Sequence, residues 1–372
     1  MKLIVNLSTL GERPTGLGVY SENCVSRIAS RFNVGFVSGG ATGVQMRGET
    51  VLKAPASIAI GGGKLAAIRR QLWMRKVNFD DESLVYSPTH HGFSAQANQI
   101  ITIHDLICLR FPSQHRPQYL FFRFGLPRLL KKCRAVFTVS ETTRQDVAET
   151  YGFPLDRIFV VPNGVDASAF SPDTAARPDE PFLLMVGARY SHKNVDEVLD
   201  MAEQWSRDFR LVVTSCGGDY RAMLENKVAA LGLKGRVEFT DYLSRDSLIR
   251  LYQGCSALVY PSKWEGFGIP PLEALACGSP VIASDIPVHR EVLGDAAFFV
   301  RLGDESSWLS AFEALQSETE VAARMNSAGD RLGHFTWDRA ANALEESLLA
   351  VEPRLESCRI AVNAPDGAGV QG

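Results

Sequence analysis

The sequence predicts an α/β protein with two doubly wound parallel sheets, each in a domain of its own. Three observations predict this fold class. Short β-rich segments alternate with segments of helical periodicity, first in one half of the chain and again in the other. The 372 residues suffice for two domains of ordinary size. Between residues 163 and 181, Asn-Gly, prolines and small polar residues cluster, which favours a domain junction there.

The individual elements follow from β-rich runs bounded by turn residues. In the first half we predict strands at residues 3–7, 34–37, 83–87, 99–103, 135–140 and 158–162, with helices over 20–32 and 142–151. In the second half the predicted strands are 182–186, 210–215, 237–240, 257–260, 281–283 and 297–300. A last helix is expected over residues 337–351, followed by a Gly-, Ala- and Pro-containing tail that we expect to be mobile.

The composition limits the class of protein. Apolar residues make up 45% and charged residues 22% of the chain, as in soluble globular proteins. No apolar run is long enough to span a membrane, and the apolar stretch at the start is too short for a signal peptide. The seven cysteines are scattered without a Cys-x-x-Cys pair, which favours reduced thiols in the cytoplasm and disfavours a zinc site.

The net charge of −3 is unevenly distributed along the chain. Residues 1–165 hold 20 Lys and Arg against 11 Asp and Glu, and the remainder holds 19 against 31. A basic first half fits an anionic acceptor, a membrane surface or nucleic acid. Residues 110–134 carry seven basic side chains and no acidic one, interleaved with aromatic and leucine side chains. This stretch predicts either an internal helix with a solvated basic face or contact with an anionic membrane, and no nucleic-acid motif accompanies it.

Two carboxylates eight positions apart flank a glycine-bearing turn and a pair of prolines, in Glu265-Gly-Phe-Gly-Ile-Pro-Pro-Leu-Glu273. The prolines suit the first turn of a helix, and Gly278 is placed to end it. Glu265 should therefore lie on a loop at the carboxyl end of a strand, and Glu273 just inside the following helix. Backbone N–H groups there can face an anionic ligand. The spacing alone leaves a structural turn with two solvated glutamates equally open.

The twenty residues from Glu265 onward resemble the E-x7-E signature of retaining glycosyltransferases of the GT-B fold. The resemblance is closest to the large family 4, which includes many bacterial mannosyl- and glucosyltransferases. It implies two Rossmann-like domains facing a central cleft: an acceptor-binding domain over 1–165 and a nucleotide-sugar-binding domain over 166–336. Residues 337–372 would then form a helix that crosses back to the first domain, plus the tail. The resemblance covers nearly the whole chain, with its specificity concentrated in the second half.

The resemblance also implies roles for the residues of this segment. Glu265 would face the donor sugar and the developing oxocarbenium charge, and Glu273 would hold the ribose hydroxyls. The N–H groups of Phe267, Gly268 and Ile269 would contact the sugar or its phosphate. Family 4 enzymes retain anomeric configuration, and no second carboxylate is evidently placed as a nucleophile, so we expect a same-face displacement assisted by the leaving phosphate.

Further candidate residues follow other predicted strands. Gly16 and Gly18, after the first strand, fit a tight turn on their own, and by the resemblance they lie against donor phosphate and acceptor. His104, with Asp105 beside it, ends the strand at 99–103, where the family's histidine contacts the donor sugar. His90-His91 fit either the same cleft or a surface loop.

In the second half, Arg189 and Lys193 follow the strand at 182–186 and fit either a solvated loop or a diphosphate site. Two fixed cations would neutralise the charge that grows on a leaving diphosphate. By the resemblance both contact the donor diphosphate, and the loop around Tyr242 lines the base pocket. The acidic cluster at residues 80–82 precedes a strand, so we expect no metal-dependent site.

These residues predict a metal-independent hexosyltransferase, without a cofactor, that acts on a glycan or a lipid-diphosphate-linked acceptor in bacterial polysaccharide or glycoconjugate biosynthesis. GDP-mannose is favoured as donor, with UDP-glucose or another UDP-sugar as the alternative. We expect a cytoplasmic protein, peripheral on the inner membrane face if residues 110–134 contact lipid, and no nucleic-acid partner. A catalytically inactive sugar-nucleotide-binding protein is the alternative of a different class. A NAD-dependent oxidoreductase is disfavoured, because G-x-G-x-x-G is absent after the first strand.

Overall fold

The computed structural model describes residues 1–10, 16–39, 48–59, 65–173, 178 and 180–360. These residues form two parallel β-sheets, one in each half of the chain. The predicted tail lies largely outside them, at 361–372. No helix in the described ranges is long and apolar enough to cross a membrane.

The first sheet has seven described strands in the order β3-β2-β1-β4-β5-β6-β7, all paired in parallel. The strands are β1 (Lys2–Asn6), β2 (Val34–Ser38), β3 (Glu49–Lys53), β4 (Ser83–Ser87), β5 (Gln99–Ile103), β6 (Cys133–Thr138) and β7 (Ile158–Val160). β4 and β5 are wholly buried, as expected of central strands in a parallel sheet covered on both faces. The order reverses beside β1, where a doubly wound sheet binds ligands.

Helices cover both faces of this first sheet. They are α1 (Gly16–Ala29), α2 (Ala66–Met74), α3 (Ile107–Arg110), α4 (Arg116–Leu120), α5 (Leu126–Leu130) and α6 (Glu141–Tyr151), with a π-helical turn at Phe121–Gly125 between α4 and α5. α6 begins where the Ser140 side chain accepts a hydrogen bond from the Thr143 N–H, and it ends at Gly152 in the left-handed conformation.

The second sheet has six described strands in the order β10-β9-β8-β11-β12-β13, again all parallel. They are β8 (Phe182–Met185), β9 (Arg210–Val213), β10 (Val237–Phe239), β11 (Ala257–Tyr260), β12 (Val281–Ser284) and β13 (Phe298–Val300). The helices of this half are α7 (Val195–Asp200), α8 (Ala202–Trp205), α9 (Gly218–Ala230), α10 (Arg245–Gly254), α11 (Ile269–Ala276) and α12 (Pro287–Leu293), followed after β13 by α13 (Glu305–Leu315) and α14 (Glu318–His334). β8 and β11 are neighbours, so the loops that follow them lie at the same sheet edge.

The last helix, α15 (Trp337–Val351), returns to the first half of the chain. Its Asp338 pairs with Arg27 of α1 at 2.7 Å, and its Glu345 pairs with Arg31 at 2.6 Å. The segment before it lies beside the junction that leaves the first sheet, because the Val165 N–H donates to the Phe335 carbonyl at 2.9 Å. Two chain segments therefore connect the halves.

The main departure from the predicted elements is β3, which the sequence pattern missed. Its five residues are mostly exposed, and the strand forms an edge of the sheet. Without a buried face, such a strand carries little of the hydrophobic alternation on which strand prediction depends. All seven cysteines are buried free thiols.

Candidate active site

The loop after β11 and the start of α11 form the centre of the candidate site. Gly268 immediately precedes α11 with a φ of +93°, a conformation that L side chains rarely adopt, and no side chain caps the helix there. Pro270 and Pro271 occupy its first turn. Glu265 lies on the loop and is 7% exposed, whereas Glu273 lies inside the helix.

Glu265 forms a buried ion pair with Lys193, which follows the neighbouring strand β8. The Lys193 Nζ lies 2.5 Å from the Glu265 Oε1, and the two side chains are 17% and 9% exposed. Burial by itself raises the pKa of Glu265, but the Lys193 ammonium more than offsets this and the net pKa is lowered. Burial likewise opposes the charge on Lys193, and its pKa is nevertheless raised by Glu265 and Tyr260. Both groups are therefore charged.

Two further side chains line this pair. The Lys193 Nζ donates to the Tyr260 hydroxyl at 3.1 Å. His289 of α12 is fully buried, with its Nδ1 3.0 Å from the Ser284 carbonyl, so Nδ1 carries the donated proton. Burial lowers the pKa of His289 to about 4. Its Nε2 lies beside Gly268 and has no hydrogen-bond partner among the described residues, which leaves an acceptor directed at the loop.

Glu273 belongs to a separate cluster one helical turn into α11. Its Oε2 accepts a hydrogen bond from the Tyr252 hydroxyl at 2.8 Å. Burial raises the pKa of Glu273 to about 7, although Tyr252 and Arg245 oppose that shift. The two glutamates of the motif therefore differ: Glu265 is a paired anion, and Glu273 gains or loses a proton near neutral pH.

The first domain supplies the opposite wall through His104 and Asp105, just after β5. The His104 Nε2 donates to the Pro88 carbonyl at 2.9 Å, and its ring packs edge-on against Tyr20 at 4.8 Å. Burial lowers the pKa of His104 to about 4, so the ring is neutral. Burial also raises the pKa of Asp105 to about 6, with Glu265 adding to the shift and the Ile107 N–H opposing it.

The two walls touch at Gly266, next to Glu265. A Cβ placed on Gly266 would lie 1.9 Å from the His104 carbonyl oxygen, so only glycine permits this approach. The Gly266 carbonyl accepts hydrogen bonds from the Ser140 hydroxyl at 2.7 Å and the Thr143 hydroxyl at 3.2 Å. The loop that carries Glu265 is thereby attached to the first domain as well as to its own.

A second contact between the domains lies at the start of α6. The Glu291 carboxylate, on α12, accepts hydrogen bonds from the backbone N–H groups of Glu141 and Thr142 at 2.6 and 2.9 Å. A carboxylate at a helix N-terminus satisfies unpaired donors and interacts favourably with the helix dipole. The second domain therefore supplies an N-terminal cap for a helix of the first.

The remaining predicted site residues lie in different surroundings. Arg189 is exposed, and its guanidinium lies 5.8 Å from the Tyr190 ring. Gly16 and Gly18 lie in the first turn of α1, which begins earlier than predicted, and a Cβ on Gly16 would meet open space. Tyr242 is 59% exposed. Phe267 directs its ring into the core against Phe335, which leaves its backbone at the loop.

The basic stretch 110–134 divides into parts with different neighbours. Arg110 lies 3.5 Å from the Trp264 ring and pairs with Asp146 at 2.8 Å, while Arg134 pairs with Glu352 at 2.5 Å. Gln114 hydrogen-bonds Ser191 and His192 of the second domain. The beginning of the stretch is therefore an interdomain contact. Further along, large apolar and basic side chains are exposed, namely Leu120, Arg123, Phe124, Arg128, Lys131 and Lys132.

Sequence reasoning missed Tyr252, Tyr260, His289 and Glu291. Tyr260 could have been found, because it ends the strand that leads into the motif loop. His289 also had a signal, since it lies five residues after β12 ends at the same sheet edge. Tyr252 and Glu291 had no signal in the sequence, because each makes its contact with an element that is distant along the chain.

Two facing doubly wound domains, with a buried lysine–carboxylate pair at the strand ends between them, define the class: a glycosyltransferase of GT-B architecture. Comparison with known families agrees. Residues 166–331 match the model described as "Glycosyl transferases group 1", and residues 16–169 match "Glycosyltransferase Family 4". The chain belongs to glycosyltransferase family 4, and it is an enzyme of that class.

Curated relatives extend over nearly the full length. The chain is 34% identical over 336 residues to the O-antigen chain mannosyltransferase RfbU of Salmonella typhimurium, covering 87% of this chain and 94% of that protein. It is 24% identical to the O-antigen chain mannosyltransferase B of Escherichia coli, covering 91% and 97%.

Solved structures share the fold at low sequence identity. The Anabaena protein HepE, in complex with UDP and glucose, superposes with a TM-score of 0.71 at 17% identity, over 94% of this chain and 99% of that one. The sucrose-phosphate synthase of Thermosynechococcus elongatus superposes with a TM-score of 0.72 at 18% identity, over 96% and 100%. At this identity the likeness establishes the GT-B architecture alone.

Proposed function

We propose that this chain is a retaining, metal-independent mannosyltransferase that transfers mannose from GDP-mannose to a glycan on a lipid-diphosphate carrier, in bacterial O-antigen or related polysaccharide synthesis. The observation that carries the proposal is the 34% identity, over 94% of its length, to a protein named as an O-antigen chain mannosyltransferase. The second relative bears the same kind of name. The UDP and glucose of HepE belong to a structure only 17% identical and do not favour a UDP-sugar here.

The donor diphosphate would bind at the start of α11, next to Lys193. Pro270 and Pro271 have no N–H, so the backbone donors there are those of Phe267, Gly268 and Ile269, and together with the buried ammonium they favour an anion. Arg189, exposed on the same loop as Lys193, would reach the diphosphate from the solvent side. These cations would neutralise the charge on the leaving group, which is the task a divalent metal performs in other transferases. Glu273 would accept hydrogen bonds from the ribose hydroxyls.

The reaction breaks the bond between mannose C1 and the β-phosphate oxygen, and forms a bond from C1 to the acceptor oxygen on the same face of the sugar. The acceptor's proton passes to the departing phosphate oxygen, so that GDP leaves and configuration is retained. Glu265 would stabilise the positive charge that develops on the sugar ring. Neutral His104, on the opposite wall, would position a sugar hydroxyl, and the two domains exclude water from the donor.

We also propose that the first domain rests on the inner membrane face. This is supported by exposed Leu120 and Phe124, each 56% exposed, beside exposed basic side chains of residues 123–132. Apolar side chains ringed by cations suit an anionic lipid interface. In vesicle flotation, Leu120→Gln/Phe124→Gln should reduce binding to anionic vesicles without altering turnover on a water-soluble acceptor. Equal flotation of variant and parent would contradict the proposed lipid contact.

The function is tested with purified protein, a panel of GDP- and UDP-sugars and a lipid-diphosphate glycan, with nucleotide release measured in the presence and absence of acceptor. We expect GDP-mannose to give the largest acceptor-dependent release, unchanged by EDTA, with the anomeric configuration of the product retained as judged by NMR. Preference for a UDP-sugar would overturn the donor assignment. Binding without turnover of any donor would favour an inactive sugar-nucleotide-binding protein.

A further inference from the structure

The helix α2 turns an arginine toward the protein interior. Arg70 is only 9% exposed. Its Nε donates to the Ile58 carbonyl at 2.8 Å, and its Nη1 lies 3.0 Å from the His91 Nε2. Among the described residues no carboxylate pairs with Arg70. Burial lowers the pKa of Arg70, although a guanidinium stays charged in a protein.

The imidazoles around Arg70 are neutral. Because the guanidinium can only donate, the His91 Nε2 must be the acceptor, and its Nδ1–H then donates to the Thr89 hydroxyl at 3.2 Å. Burial lowers the pKa of His91 well below its usual value. The His90 ring lies 4.1 Å from that of His91, and burial lowers the pKa of His90 to about 3. The positive charge of Arg70 therefore has no counter-charge within its cluster.

A buried charge without a partner is strongly unfavourable, so such a group is ordinarily paired or binds an ion. The hydrogen bonds to Ile58 and His91 fix the guanidinium plane but supply no negative charge. Thr89 in turn fixes the tautomer of His91. A side chain that is held rigidly, is charged and has no counter-ion among the described residues is preorganised for an anion.

The location connects this cluster to the reaction cleft. Thr89, His90 and His91 follow β4 at its carboxyl end, and Pro88 accepts the hydrogen bond of His104 from the neighbouring strand β5. The cluster thus belongs to the first domain, at the same sheet edge as His104, whereas Lys193 and Glu273 belong to the second.

The opposite face of α2 is apolar and exposed. Ile68 and Leu72 are 58% and 53% exposed, four positions apart, and Leu65 before the helix is 53% exposed. An α-helix is about 10–12 Å across with its side chains, so the two faces are separated by roughly the depth of a lipid headgroup layer. α2 therefore combines a lipid-compatible outer face with an inner face on which Arg70 lies between Ala66 and Met74.

We propose that Arg70, oriented by His91, binds a phosphoryl group of the acceptor, so that the enzyme recognises its glycan together with the phosphate or diphosphate that links it to lipid. This inference rests on the proposed transfer to a lipid-linked acceptor, and it adds Arg70 and His91 as the residues that would recognise the anion of that acceptor. A carboxylate on an acidic sugar offers similar chemistry, and a series of acceptors that differ in their anionic group separates the two.

The test uses short-chain, water-soluble acceptors that carry one glycan on an alkyl diphosphate, on a neutral alkyl glycoside, or on a neutral alkyl glycoside with one sugar oxidised to a uronic acid. We expect the wild-type KM to be about 10- to 100-fold lower for the diphosphate acceptor than for the neutral acceptor. This ratio corresponds to the binding energy of one or two charge-assisted hydrogen bonds. Arg70→Gln should remove that difference, with unchanged GDP binding. Arg69→Gln, an exposed neighbour on the same helix with the same change of charge, should preserve it.

A second measurement does not depend on the variant folding. An alkyl diphosphate without sugar should inhibit the wild-type enzyme competitively against acceptor and not against donor. Equal KM for diphosphate and neutral acceptors, or Arg70→Gln raising both by the same factor, would overturn the inference, as would a preference for the uronic acid acceptor. Failure of the proposed function is distinguishable, because no donor would then be turned over with any acceptor.

Discussion

Replacing Glu265 by glutamine separates the two roles assigned to the residues of the motif. The substitution keeps the size of the side chain and removes the negative charge that lies 2.5 Å from the Lys193 Nζ. In the free protein, the ammonium would be left beside a neutral amide and the Tyr260 hydroxyl. In the nucleotide-bound protein, the donor diphosphate would supply the missing charge.

The magnitude follows from the burial of the pair, whose side chains are 17% and 9% exposed. Removing one partner of a buried pair costs about 3–5 kcal/mol of stability, and we take the lower value because the Tyr260 hydroxyl still accepts from Lys193. For a domain of this size, about 3 kcal/mol corresponds to a fall in Tm of about 6–12 °C. If GDP restores a counter-charge, the variant should bind GDP at least as tightly as wild type, and up to about 10-fold more tightly.

Turnover should change in the opposite direction. If Glu265 stabilises positive charge on the sugar, its loss should lower kcat by about 100- to 1,000-fold, as for other charge-stabilising groups. The assays are thermal unfolding with and without GDP, calorimetric titration with GDP, and initial rates with GDP-mannose. Lys193→Gln is the matched control and should weaken GDP binding, and the double variant should lose less stability than the two single losses added together.

Two results would contradict this reasoning. If Glu265→Gln weakens GDP binding as much as Glu273→Ala does, both glutamates contact the nucleotide and the separate roles are wrong. An unchanged Tm in the free protein would show that the Lys193–Glu265 pair contributes nothing there.

Three further predictions follow from the same site. GDP affinity should fall as pH drops from about 8 to about 6, because burial raises the pKa of Glu273 to about 7 and, in the proposed role, the ribose hydroxyls bind its anion. Glu273→Gln should reduce the slope of calorimetric affinity against pH to the part contributed by protonation of the terminal GDP phosphate, and a slope equal to that of the wild type would contradict the assignment. Gly266→Ala should push the two domains apart, because its Cβ would lie 1.9 Å from the His104 carbonyl oxygen. We expect a lower kcat and a larger radius of gyration in small-angle scattering. An unchanged radius and an unchanged rate would exclude a closed contact at Gly266. His289→Phe should lower kcat with little change in GDP affinity, because it removes the Nε2 acceptor beside Gly268, which has no hydrogen-bond partner among the described residues. Wild-type kinetics in this variant would show that His289 takes no part in the reaction.

The sequence was sufficient for the fold because parallel sheets bury their strands on both faces. β4, β5 and β11 are buried along their whole length and lie at the predicted residues, whereas the edge strand β3 has no buried face. The positions of Glu265 on a loop and Glu273 within a helix also follow from local chemistry, since prolines and a glycine of positive φ fix the helix start.

The contacts within the site could not be predicted from the sequence in the same way. Lys193 and Glu265 are 72 residues apart and meet because β8 and β11 are neighbours, which depends on strand order. Arg70 is harder still to predict, because its helix buries an arginine beside Ala66 and Met74 while it exposes Ile68 and Leu72, which departs from an ordinary amphipathic pattern. Such a departure can be recognised only once the helix has been placed against its neighbours.

The attachment of Gly266 to the first domain connects domain position with the chemistry. Its carbonyl is held by Ser140 and Thr143, and the next residue along the chain toward the N-terminus is Glu265. Rotating one domain away from the other must break these hydrogen bonds and pull on the loop that presents the carboxylate to Lys193. Opening the cleft for a donor and releasing Glu265 from its partner are therefore mechanically linked. Donor entry would then exchange one counter-ion of Lys193 for another, and the ammonium would stay compensated throughout.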